Sequence, residues 1–327
     1  MKMNPVRYAL AVLIAAFALV AAGAATAQTY PSRPVRLIAP FPPGGVADLL
    51  ARITAEQLTR RLGQQFVVEN KPGAGGNIGT EQVAKAAPDG YSLVLLSSGN
   101  IVINPHLYSN MGFDPFTDLA PVALIADVPP VIAIPASLPA NTLAEFIVLA
   151  KARPGEFNYG SPGIATTNHL YGDAFGRVAG VRMVHVPYKG VALAIADLAT
   201  GRLQFMSVAA APLMPHLRAG TVRILAAATG KRLSALPDIR TTAEAGLPGY
   251  TFATWFAIMA PAKTSPDIIA TLNRHIRDAV SDPEMRKRFA AQALEPLHGS
   301  PAEFAALIAS DRVKWEKIVK DSGLKQE

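Results

Sequence analysis

The sequence predicts an α/β fold built from two similar domains that face each other across a cleft. Short apolar runs alternate with stretches whose apolar residues recur at helical spacing, a pattern typical of parallel sheets flanked by helices. Strand–loop–helix units occur in each half of the chain, and their loops are rich in glycine, proline and small polar residues. The chain has 327 residues, half of them apolar, which is enough for two hydrophobic cores.

The first 27 residues have the pattern of a secretory signal peptide. Lys2 and Arg7 precede an uncharged, alanine-rich run over 8–23, and Ala25-Thr26-Ala27 is an A-x-A cleavage site. A membrane anchor is the weaker alternative, because the apolar run is short and ends in small residues. We therefore expect cleavage after Ala27 and export of a soluble mature protein.

Composition excludes several kinds of site and partner. The chain has no cysteine, which excludes disulfides, zinc–thiolate sites, a cysteine nucleophile and a lipid-modified N-terminal cysteine. Removing Lys2 and Arg7 lowers the formal net charge from +7 to +5, and the remaining basic residues are dispersed. Dispersed charge and export together argue against nucleic acid as the partner.

The first predicted strand, 35–39, runs into a stiff turn and then a helix over 46–62 that Gly63 closes. The turn has the sequence P-F-P-P-G-G over 40–45, in which prolines restrict the backbone and glycines let a guest approach it. N–H groups at the start of the helix lack intrahelical partners and lie at the positive end of its dipole. This arrangement suits an anion such as a carboxylate, but the residues alone are equally consistent with a tight strand–helix connection.

Two further strands of the first half also end in small or polar loops. Residues 66–69 lead into a glycine-rich loop over 70–80 and a helix through Val83 and Ala87, and residues 93–96 end on Ser97 to Asn100. Ligands of open parallel sheets bind at the carboxyl ends of the strands, where such loops gather. The 73–79 loop resembles a dinucleotide fingerprint, but its third glycine comes one position late.

The second half repeats the alternation. Pro129-Pro130 separates predicted strands at 122–126 and 131–134 and marks the first crossing between domains. Later strands are predicted at 157–160, 184–188, 204–208 and 222–228, and the chain returns through 252–259. Helices are expected from Thr142 to about 152, after the 161–169 loop, after Lys189-Gly190, from Ser265-Pro266 and from Ser300-Pro301. The last helix should bury Phe304, Leu307, Ile308, Trp315, Ile318 and Val319.

No constellation of catalytic residues is recognisable in the sequence. A phosphate loop and a G-x-S-x-G nucleophile elbow are both missing, and the six histidines never fall at metal-ligand spacing. His169 is placed in the first turn of a helix at the cleft, where a structural role and ligand contact both remain open. Backbone donors and hydroxyls at a cleft, without a paired acid and base, indicate a binding protein that is not an enzyme. We expect no cofactor and no metal.

A series of spaced motifs, in order along nearly the whole mature chain, resembles one family of transport receptors. The motifs are Arg33-Pro34 with 36–48, V-E-N-K-P-G-A-G-G over 68–76, P-D-G-Y over 88–91, Asn104-Pro105, H-V-P-Y-K-G over 185–190, A-E-A-G-L-P-G-Y over 243–250, and 255–261. They resemble the substrate-binding proteins of tripartite tricarboxylate transporters, the Bug or TctC family.

The resemblance implies two Rossmann-like α/β domains of periplasmic-binding-protein type II architecture, hinged by two crossing segments, with the ligand in the cleft between them. Residues 28–127 plus 253–327 would form the first domain and 128–252 the second. The implied function is periplasmic capture of a small organic carboxylate by flytrap closure and delivery to a membrane permease of one large and one small subunit. Presentation of the bound carboxylate to a two-component sensor kinase is the alternative, and we expect a monomer.

In the family, loops matching 40–48 and 73–79 grip a carboxylate, partly through ordered water, and the 97–100 loop assists. The second domain contributes the loop matching 161–169 and residues after the strand matching 204–208. Carried onto this chain, the ligand-binding residues are Phe41, Pro43, Gly44, Gly45, Val46, Asp48, Ala74, Gly75, Gly76, Asn77, Ser97, Ser98, Gly99, Ala165, Thr166, Thr167, His169, Tyr188, Val208 and Ala209.

The sequence departs from the family pattern at two places in the second domain. Members carry an aspartate that aligns with Val208, give or take one residue, and a carboxylate there can bind a ligand amine. Its absence disfavours amino acids and suits an aromatic or aliphatic mono- or dicarboxylate. The 161–165 loop also lacks the second small polar residue and the second glycine usual in the family.

Overall fold

The computed structural model describes residues 30–164 and 166–324. The predicted signal peptide and Ala165 lie outside this part of the chain. The strands are β1 (Val35–Ala39), β2 (Phe66–Asn70), β3 (Ser92–Ser97), β4 (Leu119–Asp127), β5 (Pro130–Pro135), β6 (Asn158–Ser161), β7 (Val184–Pro187), β8 (Met206–Ala209), β9 (Val222–Ala227), β10 (Trp255–Pro261) and β11 (Glu295–Pro296).

The helices are α1 (Val46–Leu62), α2 (Asn77–Ala84), α3 (Asn104–Leu107), α4 (Leu143–Ala152), α5 (Thr167–Ala179), α6 (Val191–Ala199), α7 (Met214–Arg218), α8 (Pro266–Ser281), α9 (Pro283–Ala291) and α10 (Pro301–Ser322). The predicted bounds of α1 are confirmed, and Gly63 ends it in the left-handed conformation. Helix α2 ends at Ala84, earlier than predicted, and the sequence analysis missed β11, α3, α7 and α9. None of the helices in the two described ranges is long and apolar enough to cross a membrane.

The first sheet has the strand order β11-β4-β10-β3-β1-β2. Strand β1 is parallel to β2 and β3, but β10 is antiparallel to both β3 and β4. Strand β11 is antiparallel to β4, so the prediction of a parallel sheet is wrong for three of the five strand pairings in this sheet as described. The reason is topological, because β10 brings the chain back from the second half and enters the sheet from the opposite end.

The second sheet repeats this arrangement. Strand β5 is antiparallel to both β8 and β9, and β6 is parallel to β7. A parallel bridge between Tyr159 and Phe205 joins β6 to the chain entering β8. The order β7-β6-β8-β5-β9 thus matches β2-β1-β3-β10-β4, with an antiparallel crossing strand in the same place. Two copies of one α/β architecture confirm the predicted fold class.

The two halves are joined by adjacent segments between β4 and β5 and just before β10. The Val128 N–H donates to Thr254 O at 3.0 Å, and the Thr254 N–H donates to Asp127 Oδ1 at 2.9 Å. We therefore propose domain boundaries here, with a first domain of 28–127 plus 253–327 and a second domain of 128–252.

The C-terminal helix α10 contacts both proposed domains. It begins with the predicted capping box of Ser300 and Glu303, and it buries Phe304, Trp315 and Val319. The Trp315 ring lies 5.7 Å from Phe252 and 6.1 Å from Tyr171 of α5, measured between centroids. An apolar cluster consequently runs from the first proposed domain into the second.

Candidate ligand-binding cleft

The turn between β1 and α1 is largely exposed and is held at both ends. Pro42, Pro43, Gly44 and Gly45 are exposed, whereas the Phe41 ring packs 6.3 Å from that of Phe256. Gly44 has a φ of 86°, and Gly45 is the N-cap of α1 without a side-chain cap bond. The helix therefore presents its first N–H groups, including that of Val46, from a glycine N-terminus.

Asp48 is buried in the first turn of α1, and both of its carboxylate oxygens are engaged within the first domain. Oδ2 accepts from the Gly44 N–H at 3.0 Å and Arg52 Nε at 3.0 Å, and Oδ1 accepts from Asn70 Nδ2 at 2.9 Å. Burial by itself would raise the pKa of Asp48, but the hydrogen bonds from Arg52, Gly44 and Asn70 hold that pKa below its ordinary value. Arg52 and Asn70 were not among the predicted site residues.

The second glycine-rich loop lies against the first and requires its glycines. Gly75 and Gly76 have φ values of 63° and 95°, and Ala74 also lies in the left-handed region. A Cβ placed on Gly76 would lie 2.6 Å from Asn100 Nδ2 and 3.3 Å from Pro40 O. Gly76 is also the N-cap of α2, again without a side-chain cap bond. The loop is thus a close-approach backbone element, as its composition predicted.

Buried asparagines fix this second loop from beneath. Asn100 Nδ2 donates to Gly75 O at 2.7 Å, and Asn100 Oδ1 accepts from Ser97 Oγ at 2.8 Å. Asn104 Nδ2 donates to Asn77 Oδ1 at 2.7 Å. Asn100 and Asn104 stand in motifs that the sequence analysis quoted, yet neither was predicted as a site residue.

These bonds leave polar side-chain atoms unpartnered where β3 ends and α2 begins. Asn77 is 4% exposed and Ser98 is 0% exposed, and neither Asn77 Nδ2 nor Ser98 Oγ has a hydrogen-bond partner. Burying a polar atom without a hydrogen-bond partner costs free energy, so each such atom calls for a partner that would bind there. An amide N–H and a hydroxyl are donors that suit a carboxylate.

In the second domain, the loop after β6 is tied to a pair of stacked histidines. Ser161 Oγ lies 2.7 Å from Gly163 O and 2.7 Å from His185 Nε2. The single hydroxyl proton goes to Gly163 O, so the Nε2–H of His185 donates to the serine. His169 stacks on His185 with centroids 3.6 Å apart and planes inclined by 9°. The sequence could not reveal this pairing, because the two residues lie on different elements.

The stacked histidines are neutral groups near pH 7. Burial and the neighbouring His169 lower the pKa of His185 to about 4, and burial lowers the pKa of His169. Thr166 is the N-cap of α5 and accepts from the His169 N–H at 3.4 Å. Unlike α1 and α2, this helix has a side-chain cap.

The other predicted site residues of the second domain have side chains that point in different directions. The Tyr188 hydroxyl donates to Asp197 Oδ2 at 2.8 Å. Burial, as the larger cause, and this hydrogen bond raise the pKa of Tyr188 to about 12. Val208 is 2% exposed and belongs to the core of the second domain. Ala209 instead packs against an apolar cluster of the first domain. Position 209 therefore lies outside the core that contains position 208, and its side chain packs on a cluster formed mainly by residues of the first proposed domain.

The turn after β3 in the first proposed domain lies close to the start of α5 in the second. A Cβ placed on Gly99, in the turn after β3, would lie 2.9 Å from Thr167 Oγ1 in the first turn of α5. The structure thus brings the loops after β1, β2 and β3 together in one domain and sets α5 opposite them. Across residues 30–164 and 166–324, no group of three or more His, Cys, Asp or Glu side chains is placed to hold a metal ion.

Comparison with known families accounts for this arrangement. The family model described as "Tripartite tricarboxylate transporter family receptor" matches residues 50–324. The chain belongs to this family. Protein BugT of Bordetella pertussis is 37% identical over 92% of this chain and 92% of its own length. The family resemblance predicted from the sequence motifs is confirmed.

Solved structures of the same type are similar over most of the chain. R. palustris Rpa4515 with adipate is 37% identical with a TM-score of 0.83, covering 90% of this chain and 99% of that chain. The periplasmic binding protein BugD is 33% identical with a TM-score of 0.79, covering 91% and 100%. MatC (Rpa3494) from Rhodopseudomonas palustris with bound malate is 29% identical with a TM-score of 0.78, covering 89% and 100%.

Proposed function

We propose that this protein is a periplasmic receptor that captures a small organic carboxylate between its two domains and does not catalyse a reaction. One observation carries the proposal: Asn77 Nδ2 and Ser98 Oγ are buried without partners beside helices whose glycine N-caps leave N–H groups unopposed by side chains. Such donors and helix dipoles, on loops that follow neighbouring strands, would favour an anion. Membership of a receptor family supports a binding role.

Two observations support a proposed ligand class: the ligands of similar solved proteins and the side chain at position 209. Rpa4515 with adipate and MatC with malate show that relatives take aliphatic dicarboxylates. Ala209, which faces the first domain, offers no carboxylate to a ligand amine. We therefore infer an aromatic or aliphatic mono- or dicarboxylate and disfavour an amino acid.

The proposed contacts come from both domains. Backbone donors of the first two loops, with Asn77, Ser98 and the turn at Gly99, would hold the carboxylate. Thr166, Thr167, His169 and Ala209 would close over the rest of the ligand, and domain closure would follow from the ligand's preference for the closed state. The loaded receptor would then deliver its ligand to the permease subunits of a tripartite transporter.

A thermal-shift screen of the purified protein, followed by calorimetry, tests this function. Adipate, malate and benzoate should be included with glutamate and aspartate, because binding to the native state raises the melting temperature. We expect a carboxylate without an amino group to stabilise the protein and to be recovered unchanged. Stabilisation by amino acids alone would refute the ligand class, and turnover of a bound compound would refute the receptor role.

The contribution of the unpartnered donors can be measured directly. Asn77→Ala and Ser98→Ala should each weaken binding of the best carboxylate by roughly tenfold, the effect of losing one hydrogen bond to a charged group. Loss of uptake of that carboxylate in cells lacking the gene would support delivery to a transporter. Unchanged uptake, with loss of a transcriptional response to the carboxylate, would point to sensing instead.

A further inference from the structure

Side chains from outside the turn over residues 40–45 hold both of its ends. Asn70 Nδ2 donates to Phe41 O at 3.1 Å, at the start of the turn, and to Asp48 Oδ1 at 2.9 Å. Asp48 Oδ2 accepts from the Gly44 N–H at 3.0 Å, near the end of the turn. The backbone between Phe41 and Gly44 is therefore clamped by one acid and one amide.

Sheet register places Asn70 where it can do this. Strands β1 and β2 are parallel, with Ala39 opposite Asn70, so both strands end at the same level. The Lys71 N–H also donates to Ala39 O at 2.9 Å, which holds the two strand ends together. Asn70 is far from the turn in sequence and adjacent to it in space.

Arg52 completes the cluster and neutralises it. Its Nε donates to Asp48 Oδ2 at 3.0 Å, and its Nη2 donates to Asn70 Oδ1 at 3.3 Å. The Asp48 side chain is 8% exposed, whereas that of Arg52 is 56% exposed. A buried carboxylate beside an anion-binding turn would repel the ligand if it were unpaired. Here its charge is balanced by Arg52 and its oxygens are occupied by donors.

We propose that Asp48 and Asn70 are positioning residues, which shape the 41–44 backbone so that the N–H groups opening α1 converge on the ligand carboxylate. The inference rests on the proposed function and assigns Asp48 a role different from direct ligand contact. Preorganised donors bind an anion more tightly because their ordering is complete before binding. Since every carboxylate ligand would use this turn, the clamp should affect all of them alike.

The test compares Asp48→Asn and Asn70→Ala with Glu69→Gln, using calorimetry with adipate, malate and benzoate. Glu69 is adjacent to Asn70 but pairs with Arg36 at 2.8 Å, so Glu69→Gln is a matched acid-to-amide control that leaves the turn alone. In each clamp variant, the affinity for every ligand that the wild type binds should fall by about tenfold. The ranking of the ligands should stay the same. The double variant should cost little more than either single one, because both act on the same turn. The control should bind like the wild type.

Hydrogen exchange of the Gly44 amide in the unliganded protein separates positioning from general stability. Exchange should accelerate locally in Asp48→Asn, while core amides stay protected. Unchanged affinity in both clamp variants, or lost affinity with unchanged exchange at Gly44, would overturn the inference. If Asp48→Asn does not fold, Asn70→Ala decides the matter alone. A wild-type protein that binds none of the three carboxylates, with Gly44 still protected, would overturn the proposed function and the role in ligand binding assigned here.

Discussion

The two proposed domains share one topology but differ at the start of their first helices, α1 and α5, and in the groups that hold the loops before them. In the first domain, α1 and α2 start from glycine N-caps, and an ion pair and buried asparagines fix the loops around them. In the second domain, α5 is capped by Thr166 and its loop is tied to neutral stacked histidines, whereas α6, the counterpart of α2, starts from Gly190 without a side-chain cap. An uncapped N-terminus is available to an anion, whereas a capped one is already partly satisfied. From this comparison we propose that the start of α1 in the first domain binds the carboxylate and that the second domain contributes to the choice of ligand.

The largest effect is expected where Gly99 of the first domain approaches Thr167 of the second. Gly99→Ala would put a Cβ 2.9 Å from Thr167 Oγ1, so the domains could close only after repacking. Overpacking costs about 1–3 kcal/mol, which corresponds to a loss of affinity of roughly 10- to 100-fold. Calorimetry should show this loss, and Thr167→Ala should restore much of it in the double variant. Wild-type affinity in Gly99→Ala would mean that these walls do not approach each other in the bound state.

Introducing a negative charge at position 209 should change the preference between carboxylates and amino acids. Ala209→Asp places a carboxylate at the position that faces the first domain and should weaken carboxylate binding by about tenfold through like-charge repulsion. Binding of an amino acid should weaken less, because its amine gains a partner. Ala209→Asn introduces a side chain of the same size as Ala209→Asp but without the charge, so it separates charge from size. Equal losses of affinity in both variants would contradict an electrostatic cause.

The histidine pair should contribute to stability in a pH-dependent way. The pKa of His185 is about 4 in the folded protein, against an ordinary value of 6.5, so the unfolded chain binds a proton more readily between these values. The contribution of His185 to stability is therefore complete above about pH 6.5 and falls as the pH drops towards 4.

Two substitutions separate the hydrogen bond of His185 from its titration. His185→Ala should lower the free energy of unfolding at pH 7 by about 1–3 kcal/mol, the cost of losing a buried hydrogen-bond partner. His185→Gln can still donate to Ser161 and should retain most of that stability. Both variants should lose stability less steeply than the wild type as the pH falls. Parallel pH profiles of denaturant unfolding for all three proteins would contradict the assignment.

Substitution of Asp127, beside the proposed hinge, should have the smallest effect on stability, and it should stabilise the protein. Burial raises the pKa of Asp127 from 3.8 to about 6, so its carboxylate is ionised at a cost in the folded protein at neutral pH. Stability from this group is lost as the pH rises from about 4 to about 6. Asp127→Asn, whose oxygen can still accept from Thr254, should melt about 2–4 °C above the wild type at pH 7.5 and no higher near pH 4. A lower melting temperature at pH 7.5 would show that the charge itself holds the hinge.

Local pattern alone determined much of this protein. The bounds of α1, the cap of α10, the glycine-rich loops and the family were all readable from the sequence, because helix caps, turn glycines and apolar periodicity act over a few residues. The residues of the P-F-P-P-G-G turn suit either an anion site or a tight strand–helix connection, and the family resemblance favours the anion site that we propose.

Tertiary structure alone decided the rest. The direction of β10 depends on the chain returning through the hinge, which no local pattern encodes. Asn70 reaches the first turn through strand register, and His169 meets His185 only when β6 pairs with β7 and α5 packs on β6. The difference between Val208, buried in its own domain, and Ala209, facing the other, follows from the alternation of side chains along β8. Residues that act on a distant neighbour are invisible to sequence periodicity, because their spacing is set by the fold.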